Sequence, residues 1–493
     1  MNCEYQDVII IGAGLSGIGA ACHISKACPQ KSVAILEGRA SMGGTWDLFR
    51  YPGIRSDSDM FTLGYNFKPW DDPQSIADGG SILKYIKETA KEFNLEDKIR
   101  YQHKVMSIEW CSKSATWTLH LEVAGEQSKM KCNFLLGCTG YYNYEHGYTP
   151  NFKGKDDFQG DFIHPQKWPE NLEYTDKKVV VIGSGATAVT LVPEMAKKAK
   201  SVTMLQRSPT YVGTVPKEER LAITLRKYLP EKWVYRITRG RNVLRTMLIY
   251  KYCKAFPNHA RKTITGMAQK QLGKDFDMVH FTPKYNPWDE RLCAVPNGDL
   301  FKSIRHGKAH VVTDTIDSFT KDGIKLNSDK VLDADIIVSA TGLDIKVLGG
   351  IDIKVDGKPF KFSDSKVYRG VLIENLPNIG MVFGYTNASW TLKSDLISEF
   401  VARIINRMDK TGTQICTAVD KNDTSTIPFM DLQSGYIDRA QDQMPKQGAN
   451  LPWRLYQNYF KDLVSLRMGR INDGVLQFEK AQAPLPLSAA TSQ

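Results

Sequence analysis

A chain of 493 residues is too long for one compact core and long enough for two or three packed domains. Its 42% hydrophobic and 24% charged residues are the balance of a soluble globular protein, and no run approaches the ~20 apolar residues of a spanning helix. The net charge of +11 is concentrated: the segment from Lys217 to Lys274 holds 15 Lys/Arg against three Glu and no Asp, which argues against the evenly basic surface of a nucleic-acid binder.

The N-terminus, MNCEYQDVIIIGAG, starts acidic, lacks a basic n-region and a small-residue cleavage site, and enters a strand within a few residues. No export signal is expected, and the expected location is cytoplasmic. DVIIIGAGLSGIGAACHIS is then an apolar strand, a glycine turn and a helix, with SVAILE as the second strand of a βαβ unit. Gly12, Gly14 and Gly17 spell G-x-G-x-x-G at the turn. Such glycines permit the tight turn, let the backbone approach a pyrophosphate and let helix and strand pack closely, while the helix N-terminus faces the phosphate charge. Glu37 ends the second strand, where a carboxylate takes both ribose hydroxyls and repels a 2′-phosphate. This site is therefore expected to hold FAD or NAD rather than NADP.

Further along, Phe158, Gly160, His164, Trp168 and Pro169 spell F-x-G-x-x-x-H-x-x-x-W-P. By residue type alone this is an irregular linker whose His and Trp clamp between domains, since a lone histidine is more often a structural hydrogen-bond donor than a catalyst. KKVVVIGSGATAVTLVPEMAKKA then repeats the strand, glycine turn and helix, with SVTMLQR as its second strand. Gly183, Gly185 and Ala188 form the G-x-G-x-x-A variant. Arg207 stands where the first unit carries Glu37, and Ser208 adds a hydroxyl. A guanidinium pairs with a 2′-phosphate, so this site selects NADPH.

Beyond it, residues 217–275 alternate apolar and basic residues at helical spacing. The segment suits contact with an anionic membrane surface, or a greasy wall that admits apolar substrates while its charges face solvent; both readings stay open. DADIIVSATG, an apolar strand ending in Gly342, is expected to return the chain to the first domain, and the small, polar tail from 484 is expected to be disordered. The nine cysteines include no C-x-x-C pair and no His/Cys cluster at metal spacing, so no metal is expected and a disulfide reductase has no redox motif to stand on.

The expected architecture is α/β: two Rossmann-like dinucleotide domains, for FAD and NADPH, with a helical insertion in the second. Residues 1–145 and 331–483 form the FAD domain, 146–176 the linker, 177–330 the NADPH domain with its insertion at 217–275, and 484–493 the tail.

The segment 158–169 resembles the fingerprint of Baeyer–Villiger flavin monooxygenases, with Trp168 separating it from ordinary flavin-containing monooxygenases. Gly43-Gly44-Thr45-Trp46, Arg50-Tyr51-Pro52-Gly53 with Asp57, Cys138-Thr139-Gly140 and Ala340-Thr341-Gly342 extend the likeness over nearly the whole chain. FQGDFIHPQKWPENLEY, GSGATAVTLVP and FTPKYNPWDERLC resemble the branch that contains long-chain-alkane monooxygenases and the ethionamide-activating monooxygenase. The resemblance implies Arg291 as the active-site arginine, with Asp57 beside it to position it. It implies a hinge role for His164 and Trp168, and Thr45, Trp46, Asp57 and Val105 as further flavin-side contacts. The implied reaction is Baeyer–Villiger oxidation through a C4a-peroxyflavin, inserting one atom of O2 into an apolar, long-chain ketone to give an ester. Oxygenation of sulfur or nitrogen and hydroxylation of a long-chain alkane remain alternatives, with a pyridine-nucleotide reductase more distant.

Overall fold

The computed structural model describes residues 3–290, 292–422, 425–430 and 435–482. Position 291 and the tail 484–493 lie outside the described residues.

The first sheet is built on β1 (Glu4–Ile11), β2 (Val33–Leu36), β3 (Ile99–Arg100), β4 (His103–Cys111), β5 (Thr116–Val123) and β6 (Glu126–Gly137), with α1 (Leu15–Ala27) crossing from β1 to β2. The VIII run at the end of β1 is buried on both faces, which suits a central strand. Accordingly Ile9 lies between Ala34 of β2 and Leu135 of β6, both parallel. The strands β4, β5 and β6 form an antiparallel meander in which Trp110 and Trp117 face each other, both fully buried.

A second sheet takes up β7 (Asp161–Ile163), β8 (Lys178–Ile182), β9 (Ser201–Gln206), β10 (Ala309–Thr313) and β11 (Ile336–Ser339), all parallel, in the order β10-β9-β8-β11-β7. Helix α2 (Ala186–Met195) links β8 to β9. Two expectations are corrected here. The strand in DADIIVSATG does not rejoin the first sheet: as β11 it sits between β8 and β7 in the second. The segment 146–176 is not wholly irregular either, since it supplies the edge strand β7. The reason is that IIVS is buried along its whole length, and a strand without polar alternation carries no mark of which sheet it joins.

Between the paired strands Val212–Val215 and Cys293–Pro296 lie helices α3 (Glu231–Ala255) and α4 (Pro257–Leu272). Helix α3 is fastened to the first sheet's side of the molecule by a buried cation. Arg239 Nη1 donates to the carbonyls of Phe61 (2.8 Å) and Gly64 (2.7 Å), and Nη2 pairs with Asp395 (3.3 Å). Asp395 also accepts from the Asn66 N–H (2.9 Å) and meets His23 Nε2 of α1 (3.0 Å).

The chain returns to the first sheet through β12 (Asp352–Val355), parallel to β4, and β13 (Ile379–Met381), parallel to β6. Helix α5 (Trp390–Thr411) then covers α1. The outgoing and returning segments run side by side as a short ribbon. Tyr142 bridges Ile345 in antiparallel sense, the Asn143 N–H donates to the Asp344 carbonyl (2.8 Å), and the Lys346 N–H donates to that of Tyr141 (3.0 Å). No helix among the described residues is long and apolar enough to cross a membrane.

Candidate functional site

The first glycine turn is shaped by close backbone approach. Gly12 has φ +106°, and a Cβ there would lie 2.6 Å from the Cys138 carbonyl oxygen. A Cβ on Gly17 would lie 1.8 Å from the Gly12 carbonyl oxygen, so only glycine lets α1 fold back onto the turn. Gly14 forms a bridge with Gly43, and the Gly43 N–H donates to the Ala13 carbonyl (2.9 Å). The loop Gly43–Trp46 is thereby laid on the turn. Helix α1 starts at Gly14 with no side-chain cap and no acidic residue in its first turn, leaving its first N–H groups for an anion.

Glu37 leans from the end of β2 onto this turn. Its Oε2 accepts from the Ala13 N–H (2.9 Å) and its Oε1 from the Arg39 N–H (3.0 Å). Burial raises the Glu37 carboxyl above the usual carboxylate range, and the two backbone donors pull it back. Thr45 hydrogen-bonds Tyr142, and Trp46 packs partly buried on the core beneath α1. Val105 is buried in β4, two residues past His103, whose N–H donates to the Glu37 carbonyl (2.9 Å). Trp390, in a stretch whose side chains sequence reasoning did not place, donates from Nε1 to Ser16 Oγ in the first turn of α1 (2.8 Å) and stacks on Tyr141. Its only signal in the sequence was a large aromatic at the start of a helix.

The second turn repeats the first with one difference. Gly183 has φ +130° and lies against the Ala340 carbonyl, where a Cβ would be 2.4 Å away, and Ala188 is fully buried. A Cβ on Gly185, however, would meet nothing within 4 Å. Helix α2 also begins without a side-chain cap or an acidic first turn. Arg207 and Ser208 are exposed at the end of β9. Burial lifts the Glu290 carboxyl, and the charge of Arg207 lowers it. Glu290 was not singled out from the sequence. Arg291 itself lies outside the described residues.

The fingerprint residues stand where the two sheets join. His164 Nδ1 accepts from the Gln166 N–H (3.2 Å), so Nε2 carries the proton and donates to the Gly342 carbonyl (3.1 Å) on the returning segment. The ring lies against Gly147, where a Cβ would be 2.0 Å from His164 Cε1. Desolvation lowers the His164 pKa below the ordinary histidine value. Gly160 lies against the Asp335 carbonyl, Phe158 is buried among Phe319 and its neighbours, Trp168 packs on the core of the second sheet, and Pro169 is exposed.

The loop 50–57 spans the gap between the two turns. Tyr51 hydrogen-bonds Thr187 in the first turn of α2, and its phenol is held well above the usual range by burial and then by the charge of Asp57. Gly53 packs on Glu194 of α2, and Arg55 Nη1 pairs with Asp299 Oδ2 (2.5 Å). Asp57 is exposed at the end of this loop.

A family profile described as flavin-binding monooxygenase-like matches residues 5–348. Among curated proteins, the chain is 51% identical to "FAD-containing monooxygenase EthA" of Mycobacterium tuberculosis, over 98% of this chain and 99% of that one. It is 50% identical to "Probable FAD-binding monooxygenase AlmA" of Acinetobacter sp, over 96% of each. Among solved structures, a steroid monooxygenase bound to NADP is similar with a TM-score of 0.76 and 21% identity, covering 97% of this chain and 100% of that one. A cyclohexanone monooxygenase bound to epsilon-caprolactone is similar with a TM-score of 0.73 and 18% identity over the same shares.

Proposed function

The chain belongs to the flavin-binding monooxygenase-like family, and from that premise we propose that it is an FAD-dependent, NADPH-consuming Baeyer–Villiger monooxygenase acting on an apolar, long-chain ketone. The observation that carries this reading is the pair of glycine turns with opposite strand-end charges, Glu37 at one and Arg207 at the other. One site suits a dinucleotide with free ribose hydroxyls and the other a 2′-phosphate.

The donor sets fit both groups. Gly12, Gly14, Gly17 and the start of α1 would hold the FAD pyrophosphate and Glu37 the ribose, with Thr45, Trp46 and Val105 along the flavin side. Gly183, Gly185 and the start of α2 would hold the NADPH pyrophosphate, close to a backbone that leaves space at Gly185. Arg207 and Ser208 would hold the 2′-phosphate. When bound, FAD would supply a hydride acceptor for NADPH and a means of activating O2, so that one oxygen atom would enter the substrate and the other leave as water.

The chain's own contribution is charge and orientation. Arg291 stabilises the negative charge that develops at the attacked carbonyl, and Asp57 positions that guanidinium. His164 and Trp168 join the two halves at the ribbon and act through geometry, not by proton transfer. The balance is ketone, O2, NADPH and a proton giving ester, NADP and water.

The test is turnover of the FAD-loaded protein with NADPH and 18O2 on a panel of straight-chain ketones, sulfides and alkanes, with products read by mass spectrometry. One 18O in an ester is the expected outcome. Labelled sulfoxide or alcohol without ester would replace the proposed reaction with heteroatom oxygenation or hydroxylation. NADPH oxidation that yields peroxide with every compound would overturn the oxygenase reading for these substrate classes.

A further inference from the structure

Helix α3 has two unlike faces. Val234, Thr238, Asn242, Val243 and Met247 are buried inward, whereas Trp233, Ile237, Leu244 and Leu248 are between 44% and 55% exposed. Spacings of four and seven residues put these four on one line along the outer side of the helix. A single exposed leucine is ordinary, but a line of four large apolar side chains is not. A second exposed apolar stretch stands beside it. Tyr456, Phe460, Val464 and Met468, four residues apart, are all exposed, Met468 by 75%. Tyr459 of this segment packs against the cluster of Val243 and Met247, and Tyr250 of α3 and Tyr456 line one cavity of about 100 Å³.

The charges around α3 divide in the same way. Arg226, Arg239, Arg241 and Lys254 are turned to internal partners, Glu231, Asp395, Glu219 and Asp289. Lys227, Lys232, Arg236, Arg245 and Lys251 are exposed, and none of the five forms an ion pair among the described residues. By helical position Lys232 and Arg236 lie to one side of the apolar line and Arg245 to the other, while Lys251 follows it and Lys227 precedes the helix.

We propose that the outer face of α3, together with the segment 456–468, docks on the surface of an anionic phospholipid bilayer. The apolar line and the second apolar stretch enter the headgroup boundary, and the five basic side chains lie among the lipid phosphates. Charge complementarity selects this occupant, because a second copy of the chain would bring one basic rim against another. The proposal rests on the reading of an apolar substrate and narrows it. Docking sets the cavity between Tyr250 and Tyr456 beside the phase in which a long-chain ketone is dissolved.

The experiment is co-sedimentation of the FAD-loaded full chain with vesicles of phosphatidylglycerol mixed with phosphatidylcholine, and with vesicles of phosphatidylcholine alone. Binding to the anionic vesicles that weakens as salt rises is expected, at least about ten-fold weaker without the anionic lipid; each basic side chain near the surface contributes about five-fold. The variant Trp233→Glu/Leu244→Glu/Leu248→Glu should lose binding about ten-fold or more while keeping its flavin absorbance, melting temperature and NADPH consumption. Lys232→Gln/Arg236→Gln/Arg245→Gln, which leaves the apolar line intact, should lose most of the anionic preference and keep the residual binding to phosphatidylcholine alone. No sedimentation with anionic vesicles at low salt would overturn the proposal, as would equal binding by wild type and both variants. Self-association abolished by the same changes, without vesicle binding, would make the face an interface between copies. The readout needs no substrate, so its failure leaves the oxygenation reading standing, and failed labelling leaves the docking result standing.

Discussion

A methyl group added at Gly17 would sit 1.8 Å from the Gly12 carbonyl oxygen, whereas one added at Gly185 would meet nothing within 4 Å. The third motif position of the first turn therefore answers to packing, and the second motif position of the second turn to ligand approach. Gly17→Ala is expected to cost at least roughly 1–3 kcal/mol and to lower the flavin bound per chain, read by calorimetry and by absorbance. Gly185 has φ −78°, which alanine accepts, so Gly185→Ala should melt as the wild type does and show its cost, about ten-fold, in the KM for NADPH. Arg207→Ala belongs with it: the KM for NADPH should rise roughly 10- to 100-fold while that for NADH stays put, since only the 2′-phosphate contact is removed. His164 titrates against its surroundings. Its folded pKa lies below the unfolded value of about 6.5, so the unfolded chain binds the proton first. Stability is then full above that value and falls as pH drops from it through the folded pKa. His164→Gln, which keeps a donor for the Gly342 carbonyl, should flatten the acid side of a melting-temperature profile. An unchanged profile would assign the acid loss to another group.

Helix α3 carries a buried ion pair on its inner face, beside the bonds from Tyr235 to the Tyr65 carbonyl and from Asn242 to Asp59. Arg239 is 9% exposed and Asp395 2% exposed, and the pair is completed by carbonyls and by His23. Arg239→Met should destabilise by roughly 3–5 kcal/mol, because it leaves the Asp395 carboxylate buried without its guanidinium, and Arg239→Met/Asp395→Asn should recover part of that loss. Chemical denaturation of the three proteins measures the coupling. Nothing in the sequence marked this arginine among the fifteen basic residues of its segment, because burial is decided by where the helix docks, not by its composition. The strands VIII, VAIL, KVVVI and SVTMLQ and both glycine turns were legible, since an apolar run followed by glycines and a helix is a local pattern. The sheet to which IIVS belongs was not, because its burial on both faces erases the polar alternation that fixes a partner. Glu37 was legible as a strand-end carboxylate. Its contact with the Ala13 N–H was not, and neither was the bond from Trp390 to Ser16, because both bring together residues distant in sequence.

At the scale of the molecule, the two nucleotide turns meet the chain's crossings in the same way. Gly12 lies against the carbonyl of Cys138, where the chain leaves the first sheet, and Gly183 against that of Ala340, where it leaves the second. The loop from Tyr51 to Arg55 then reaches from one half to α2 and Asp299 of the other. The ribbon formed by Tyr141–Asn143 and Asp344–Lys346 is bonded within itself, and His164 is tied to Gly342 close beside it. Hinges of domain motion are a few loop or element-terminal residues, and this crossing is built of such residues. On the proposed reading, the half that carries Arg207 would swing about this ribbon, and a nicotinamide would approach and retreat along one arc instead of searching through orientations.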